Sequence, residues 1–221
     1  MEQAIAILGG TGQMGGALAL RWARAGLKIT IGSRDAARAD AAARTIREHA
    51  PGAAVTGATM LAAATAGDVV VLTVPWPAHR ATLEALRPAL QGKILVDVTV
   101  PLAPPRVARV ELPPEGAAAM AAQQILGPEV KVVAAFETVP AHRLADPAAT
   151  LDSDVLVCGN DKGARESVVA LARAAGLEAL HGGALANAAA AETLAAVQIF
   201  LNGRYRGEAG FRFTGLKRPI A

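Results

Sequence analysis

Residues 9–15 read Gly-Gly-Thr-Gly-Gln-Met-Gly and contain Gly10-x-Gly12-x-x-Gly15, set between an apolar run (residues 4–8) and a helical pattern (residues 14–25). A glycine turn between strand and helix suits a dinucleotide pyrophosphate. Gly10 would allow the tight turn, Gly12 the close approach of backbone to phosphate, and Gly15 the packing of helix on strand. The free N–H groups of the helix start then face the anion, with the helix dipole behind them. Thr11, Gln13 and Met14 complete the set expected on the cofactor.

The second strand pattern ends Ile31-Gly32-Ser33-Arg34, with Arg38 one helical turn on. An NAD-binding domain usually carries Asp or Glu at this place to accept bonds from the ribose hydroxyls. Here a serine hydroxyl and guanidinium groups stand instead, which suits a 2′-phosphate and so NADP over NAD. Asp35 follows Arg34 and is expected to cap the next helix. The fourth strand ends Leu72-Thr73-Val74-Pro75-Trp76. Strand ends near the switch point of such a sheet line the ligand crevice, so Thr73, Val74 and Trp76 are expected beside the nicotinamide riboside. For Trp76 a second reading stands, as core filler.

These residues need a scaffold, and the pattern supplies one. Short runs rich in Val, Ile and Leu (residues 4–8, 28–31, 69–74, 94–98, 130–135 and 155–157) alternate with helical stretches (14–25, 36–49, 59–66, 78–90, 117–126 and 162–175). That alternation predicts an α/β fold, a Rossmann-type doubly wound parallel sheet with a small helical or irregular C-terminal extension. Residues 50–67 read as turn, strand and short helix. Residues 1–145 are expected to form the NADP-binding domain, and 146–221 to extend the sheet and add a long helix (185–201, ending at Asn202-Gly203) and a tail. The proline-rich stretch 101–116 is too long for a mere connector and is expected to cover a site or an interface.

Composition narrows the function classes. Hydrophobic residues make up 52% of the 221, enough for a large core, and only 19% are charged, which argues against disorder. The net charge of +3 comes without any run of like charges, so no nucleic-acid partner is expected. Cys158, the single cysteine, excludes an internal disulfide and a multi-cysteine metal site, and its apolar setting suggests a buried thiol. The four histidines are scattered, and neither a metal cluster nor a nucleophile–histidine pair is evident. Neither a signal peptide nor a membrane span is apparent, so a cytoplasmic protein is expected.

Taken together, the chain resembles the NADPH-dependent reductases of the deazaflavin coenzyme F-420. The resemblance rests on residues 8–15, on Gly32-Ser33-Arg34, on Thr73-Val74-Pro75-Trp76, on Ala135-Phe136-Glu137-Thr138-Val139-Pro140-Ala141, on Val157-Cys158-Gly159-Asn160-Asp161 and on the ending 204–216. It implies hydride transfer between nicotinamide and deazaflavin rings, with NADP as cofactor and coenzyme F-420 as co-substrate. The protein would chiefly position the two rings, so no catalytic side chain and no metal are expected. The resemblance further implies that Val100 and Ala141 border the cofactor, and that Glu137, Thr138, Val139, Pro140 and Asn187 line the acceptor. The partner would be a small redox acceptor, and the alanine-rich C-terminal helix could form a homodimer face or pack on its own sheet. Two other readings stay open: an NADPH-dependent reductase of a flavin, quinone, metal chelate or imine, and a non-catalytic NADP(H) sensor.

Overall fold

The computed structural model describes residues 3–146 and 148–217. Eight strands form one sheet in the order β3-β2-β1-β4-β5-β6-β7-β8. Strands β1 (Ile5–Leu8), β2 (Ile29–Ser33), β3 (Val55–Thr59), β4 (Val69–Leu72), β5 (Ile94–Asp97) and β6 (Lys131–Ala134) all run parallel. The order reverses between β1 and β4, which is the switch point of a doubly wound Rossmann sheet. β7 (Asp154–Gly159) pairs antiparallel to β6, and β8 (Glu178–Gly183) parallel to β7.

Helices cover both faces. α1 (Gln13–Arg24), α2 (Ala36–His49) and α7 (Lys162–Ala174) pack on the face that carries Ile5, Ile7, Ile29, Ile31 and Val71. α3 (Met60–Ala66), α4 (Trp76–Leu90), α5 (Ala118–Leu126) and α8 (Ala188–Tyr205) belong to the other, with Ala6, Leu8, Val70 and Leu72. Successive strand residues thus bury themselves on opposite sides, which explains the nearly continuous apolar runs. Glycine makes the close contact of α2 with β3 possible: at Gly57 an added Cβ would stand 2.3 Å from the Asp40 amide nitrogen.

The expected elements appear, with differences: β7 runs antiparallel to β6 in a sheet expected to be parallel, and β8 lies beyond the last of the expected runs. A short helix, α6 (Ala141–Ala145), follows β6 where no helix was expected. At five residues it is too short to leave a periodic signal. The C-terminal helix begins with a 3-10 turn (Leu185–Asn187) before α8. It also passes through Asn202 and Gly203 and stops at Tyr205, where Arg206 adopts a left-handed conformation (φ 52°). Gly203 meets nothing within 4 Å, so it is tolerated in an exposed last turn. Asn202 instead accepts the amide of Ala209 (2.7 Å) and turns the tail back.

Candidate functional site: a dinucleotide crevice at the switch point

The glycine loop leaves β1 through Gly9, whose φ of +85° is the left-handed region. The tight turn therefore belongs to Gly9, and the expectation that gave it to Gly10 is corrected. Gly10 must be small for another reason. Its Cβ would stand 2.9 Å from the Ile31 side chain and 3.1 Å from the Ile7 carbonyl. Gly15 meets its expectation: a Cβ there would lie 2.6 Å from Thr73 Oγ1 and 2.8 Å from the Gly10 Cα, so helix and strand touch. Gly12 is the N-cap of α1 and offers no side chain to the first-turn amides, which leaves them open to an anion. A Cβ on Gly12 would meet only the Gly9 carbonyl, at 3.2 Å.

A crevice of about 370 Å³ is lined by Gly9, Thr11, Gly12, Gln13, Ser33, Arg34, Asp35, Arg38, Met60, Thr73, Val74, Pro75, Ala78 and Thr82. It brings eight of the sequence-derived residues together: Thr11, Gly12, Gln13, Ser33, Arg34, Arg38, Thr73 and Val74. Ser33 is buried at the end of β2, and Arg34 and Arg38 are exposed at its rim. Asp35 caps α2 by accepting the amides of Ala37 (2.9 Å) and Arg38 (3.4 Å), as expected. Its carboxylate is thereby turned to the helix start. Met60, Ala78 and Thr82 are lining residues that the strand-end argument missed, because they lie on helices that reach the crevice only in three dimensions. Met14 packs against the core instead of lining the crevice.

Trp76, Val100 and Ala141 are half-buried and outside this crevice. Trp76 opens α4 and leans on His79, with ring centroids 5.1 Å apart. His79 is fully buried, and its Nε2 lies 2.7 Å from Asp97 Oδ2 at the end of β5. Asp97 also accepts the amide of Thr99 (3.0 Å). This pair ties the first turn of α4 to the neighbouring strand end and was not anticipated. The available signal was Asp97 itself, a charge in an otherwise apolar strand, which calls for a buried partner.

The segment expected at the acceptor follows β6. Phe136 takes a left-handed conformation (φ 75°) and meets Trp22 edge-on, with centroids 6.0 Å apart. The chain then turns, with the amide of Val139 donating to the Phe136 carbonyl (3.1 Å), and Pro140 starts α6. Glu137, Thr138 and Val139 are buried. Glu208 of the tail reaches His142 (2.6 Å) and Arg143 (3.7 Å) on α6. Asn187 is exposed and donates to the Gly182 carbonyl (2.7 Å).

Glu137 Oε1 is buried without a hydrogen-bond partner. Burial, reinforced by the Glu192 and Asp97 carboxyls and opposed by its own backbone amide, raises its pKa well above the usual carboxyl range. The shift favours the neutral carboxyl over the carboxylate. Glu192, on α8, accepts the amides of Ala118 (2.7 Å) and Ala119 (3.2 Å) at the start of α5. Burial pushes its pKa up to about 7, against these two hydrogen bonds. Burial likewise pushes the Cys158 thiol up to about 12, so it is the inert buried thiol expected. Among the described residues no group of three or more His, Cys, Asp or Glu could hold a metal ion.

A glycine loop under a helix N-terminus, at the switch point of a 3-2-1-4-5-6 sheet and beside a basic rim, defines a dinucleotide-binding protein of the Rossmann class. The comparisons narrow this. A family model described as NADP oxidoreductase coenzyme F420-dependent matches residues 4–101. The F420-dependent NADP reductase of Methanocaldococcus jannaschii is 39% identical over 222 residues, covering 96% of this chain and 99% of its own length. The enzyme of the same description from Methanothermobacter thermautotrophicus is also 39% identical, over 98% of this chain and 97% of its own. A crystal structure from Arthrobacter sp. FB24 matches with a TM-score of 0.77 at 32% identity, covering 91% of this chain and 94% of that one. The chain belongs to the family of coenzyme F420-dependent NADP oxidoreductases.

Proposed function

We propose that this protein transfers hydride between NADP(H) and the deazaflavin coenzyme F420. The observation that carries the nucleotide half is the single crevice lined by Thr11, Gly12, Gln13, Ser33, Arg34 and Arg38. The acceptor half is supported by the F420-dependent activity of relatives alike over nearly their whole length. The cofactor and co-substrate supply the hydride donor and acceptor carbons. The chain's own part is positional. First-turn amides of α1 take the pyrophosphate, Ser33, Arg34 and Arg38 take the 2′-phosphate, and Thr73 and Val74 border the nicotinamide riboside. Thr138–Ala141, with Glu137 and Asn187 nearby, form the acceptor side. Burial shifts Glu137 towards its neutral form, which suits an anionic acceptor better than a carboxylate would.

The test is direct. NADPH oxidation should be fast with F420 and slow with flavins, quinones or imines, and no oxidation with any of them would point to a sensor. Arg34→Ala should weaken NADPH by about 1.5–3 kcal/mol, the range for a hydrogen bond to a charged group, while NADH affinity stays unchanged. Equal affinity of the unmodified protein for the two nucleotides would overturn the NADP assignment.

We further read α8 as the face of a homodimer. Val197 and Phe200 stand 42% and 57% exposed, one helical turn apart, and Tyr205 74%. Phe200→Glu should shift the protein from dimer to monomer in sedimentation; an unmodified protein that sediments as a monomer at micromolar concentration ends this reading. No described helix is long and apolar enough to cross a membrane. The lone reduced thiol fits a cytoplasmic setting.

A further inference from the structure

Arg21 lies about two turns into α1, the helix whose N-terminus is the phosphate loop. Its guanidinium donates to four backbone carbonyls. Nε reaches Leu144 (2.9 Å), Nη2 reaches Asp146 (2.6 Å) and Ala149 (3.2 Å), and Nη1 reaches Ala175 (3.3 Å). Three of these carbonyls belong to the end of α6 and the chain just after it. That is the chain continuing directly from Thr138–Ala141.

A five-residue helix has little stability of its own, and its last carbonyls lack partners within the helix. Here α6 lies against α1, and the fork of Arg21 satisfies its end. A guanidinium presents five donors in one plane, so it can hold several carbonyls at fixed angles. Lysine has one nitrogen on a flexible stem and cannot reproduce the fork. One rigid path therefore runs from Gly12, along α1, through Arg21, to the end of α6.

We propose that Arg21 is a positioning residue for hydride transfer, fixing the segment Thr138–Ala141 relative to the phosphate loop. The inference rests on the reading of that segment as the acceptor side. Donor and acceptor carbons must approach to about 3–3.5 Å. Slack between the two walls therefore costs turnover and leaves the nucleotide site intact. A plain structural brace would behave differently: its loss would lower the melting temperature and spare the kinetics of the protein that remains folded.

The experiment compares Arg21→Ala, Arg21→Lys and Ala141→Trp with the unmodified protein. NADPH affinity is measured by fluorescence, kcat and KM with F420 as acceptor, and amide hydrogen exchange without ligands. In Arg21→Ala, NADPH affinity should stay within about twofold and kcat should fall about tenfold or more. Exchange should quicken in residues 138–146 and stay unchanged in 9–16. Arg21→Lys should fall between, and added guanidinium ion should restore part of the Arg21→Ala turnover. If Arg21→Ala does not fold, Arg21→Lys is judged by the same criteria. Unchanged kcat and KM in the Arg21 variants, while Ala141→Trp loses turnover, would overturn the positioning role alone. Unchanged turnover in Ala141→Trp would overturn the acceptor-side reading and this inference with it.

Discussion

Gly12→Val should lose NADPH binding by more than a hundredfold, about 3 kcal/mol, with little change in the melting temperature of the unliganded protein. The reason is local. A Cβ on Gly12 would meet a single protein atom, the Gly9 carbonyl at 3.2 Å, which asks for a shift of a few tenths of an ångström. The space that a valine would fill is the space above the first-turn amides of α1, where the pyrophosphate is proposed to sit. Gly15 makes the contrast. Its Cβ would press on Thr73 Oγ1, on the Gly10 Cα and on the Gly9 carbonyl, all at 3.0 Å or less. Overpacking of that kind costs about 1–3 kcal/mol, and each kcal/mol lowers the melting temperature of a chain this long by roughly 2–4 °C. Gly15→Val should therefore destabilise the unliganded protein, and Gly12→Val should not. Near-native NADPH affinity in Gly12→Val would mean that the loop does not carry the phosphates.

Stability should also fall as pH rises from about 5 to 8, and Glu192 should account for a large part of it. Its pKa is raised by burial from 4.5 to about 7 in the folded protein. A carboxyl with a raised folded pKa holds its proton more tightly when folded. Its stabilising contribution is complete below pH 4.5 and is lost as pH climbs through 7. The span amounts to about 3 kcal/mol. Asp97, which faces Glu192, acts in the same direction, and the amides of Ala118 and Ala119 oppose it. Glu137, whose pKa is likewise raised by burial, acts in the same direction. Urea unfolding of Glu192→Gln at pH 5 and pH 8 measures the effect. The variant should gain about 2.5 kcal/mol on the unmodified protein between the two pH values. A difference that does not change with pH would mean that Glu192 is ionised throughout.

The residues that line the candidate crevice were largely legible because their signals are local. Gly10, Gly12 and Gly15 sit between a strand and a helix, and Ser33 and Arg34 end the next strand; each residue's place follows from a few neighbours. The partial error at Gly10 has the same origin. Spacing marks where glycines are needed, but Gly9 takes the left-handed turn and Gly10 yields to Ile31 and Ile7, a contact across two strands. The buried acids were harder to read. Asp97 is a charge in an apolar strand, and Glu192 is the only charge in α8 before Arg204. Such residues announce a need for partners without naming them. The partners are His79, 18 residues before Asp97, and Ala118, 74 residues before Glu192.

The sequence by itself determined the layered α/β fold, the glycine loop between β1 and α1 and the basic end of β2, since alternating periodicity, strand-end chemistry and helix starts are properties of short stretches of chain. Tertiary structure decided which distant groups face one another. It put Met60 and Thr82 into the crevice and joined His79 to Asp97. It buried Glu137 and so raised the pKa of its carboxyl. It laid α6 along α1 under the fork of Arg21, 123 residues away from Leu144 in sequence. No periodicity in α1 distinguishes Arg21 from the charges around it. Its role arises only when the chain, having crossed the sheet, returns to the helix where the nucleotide loop began.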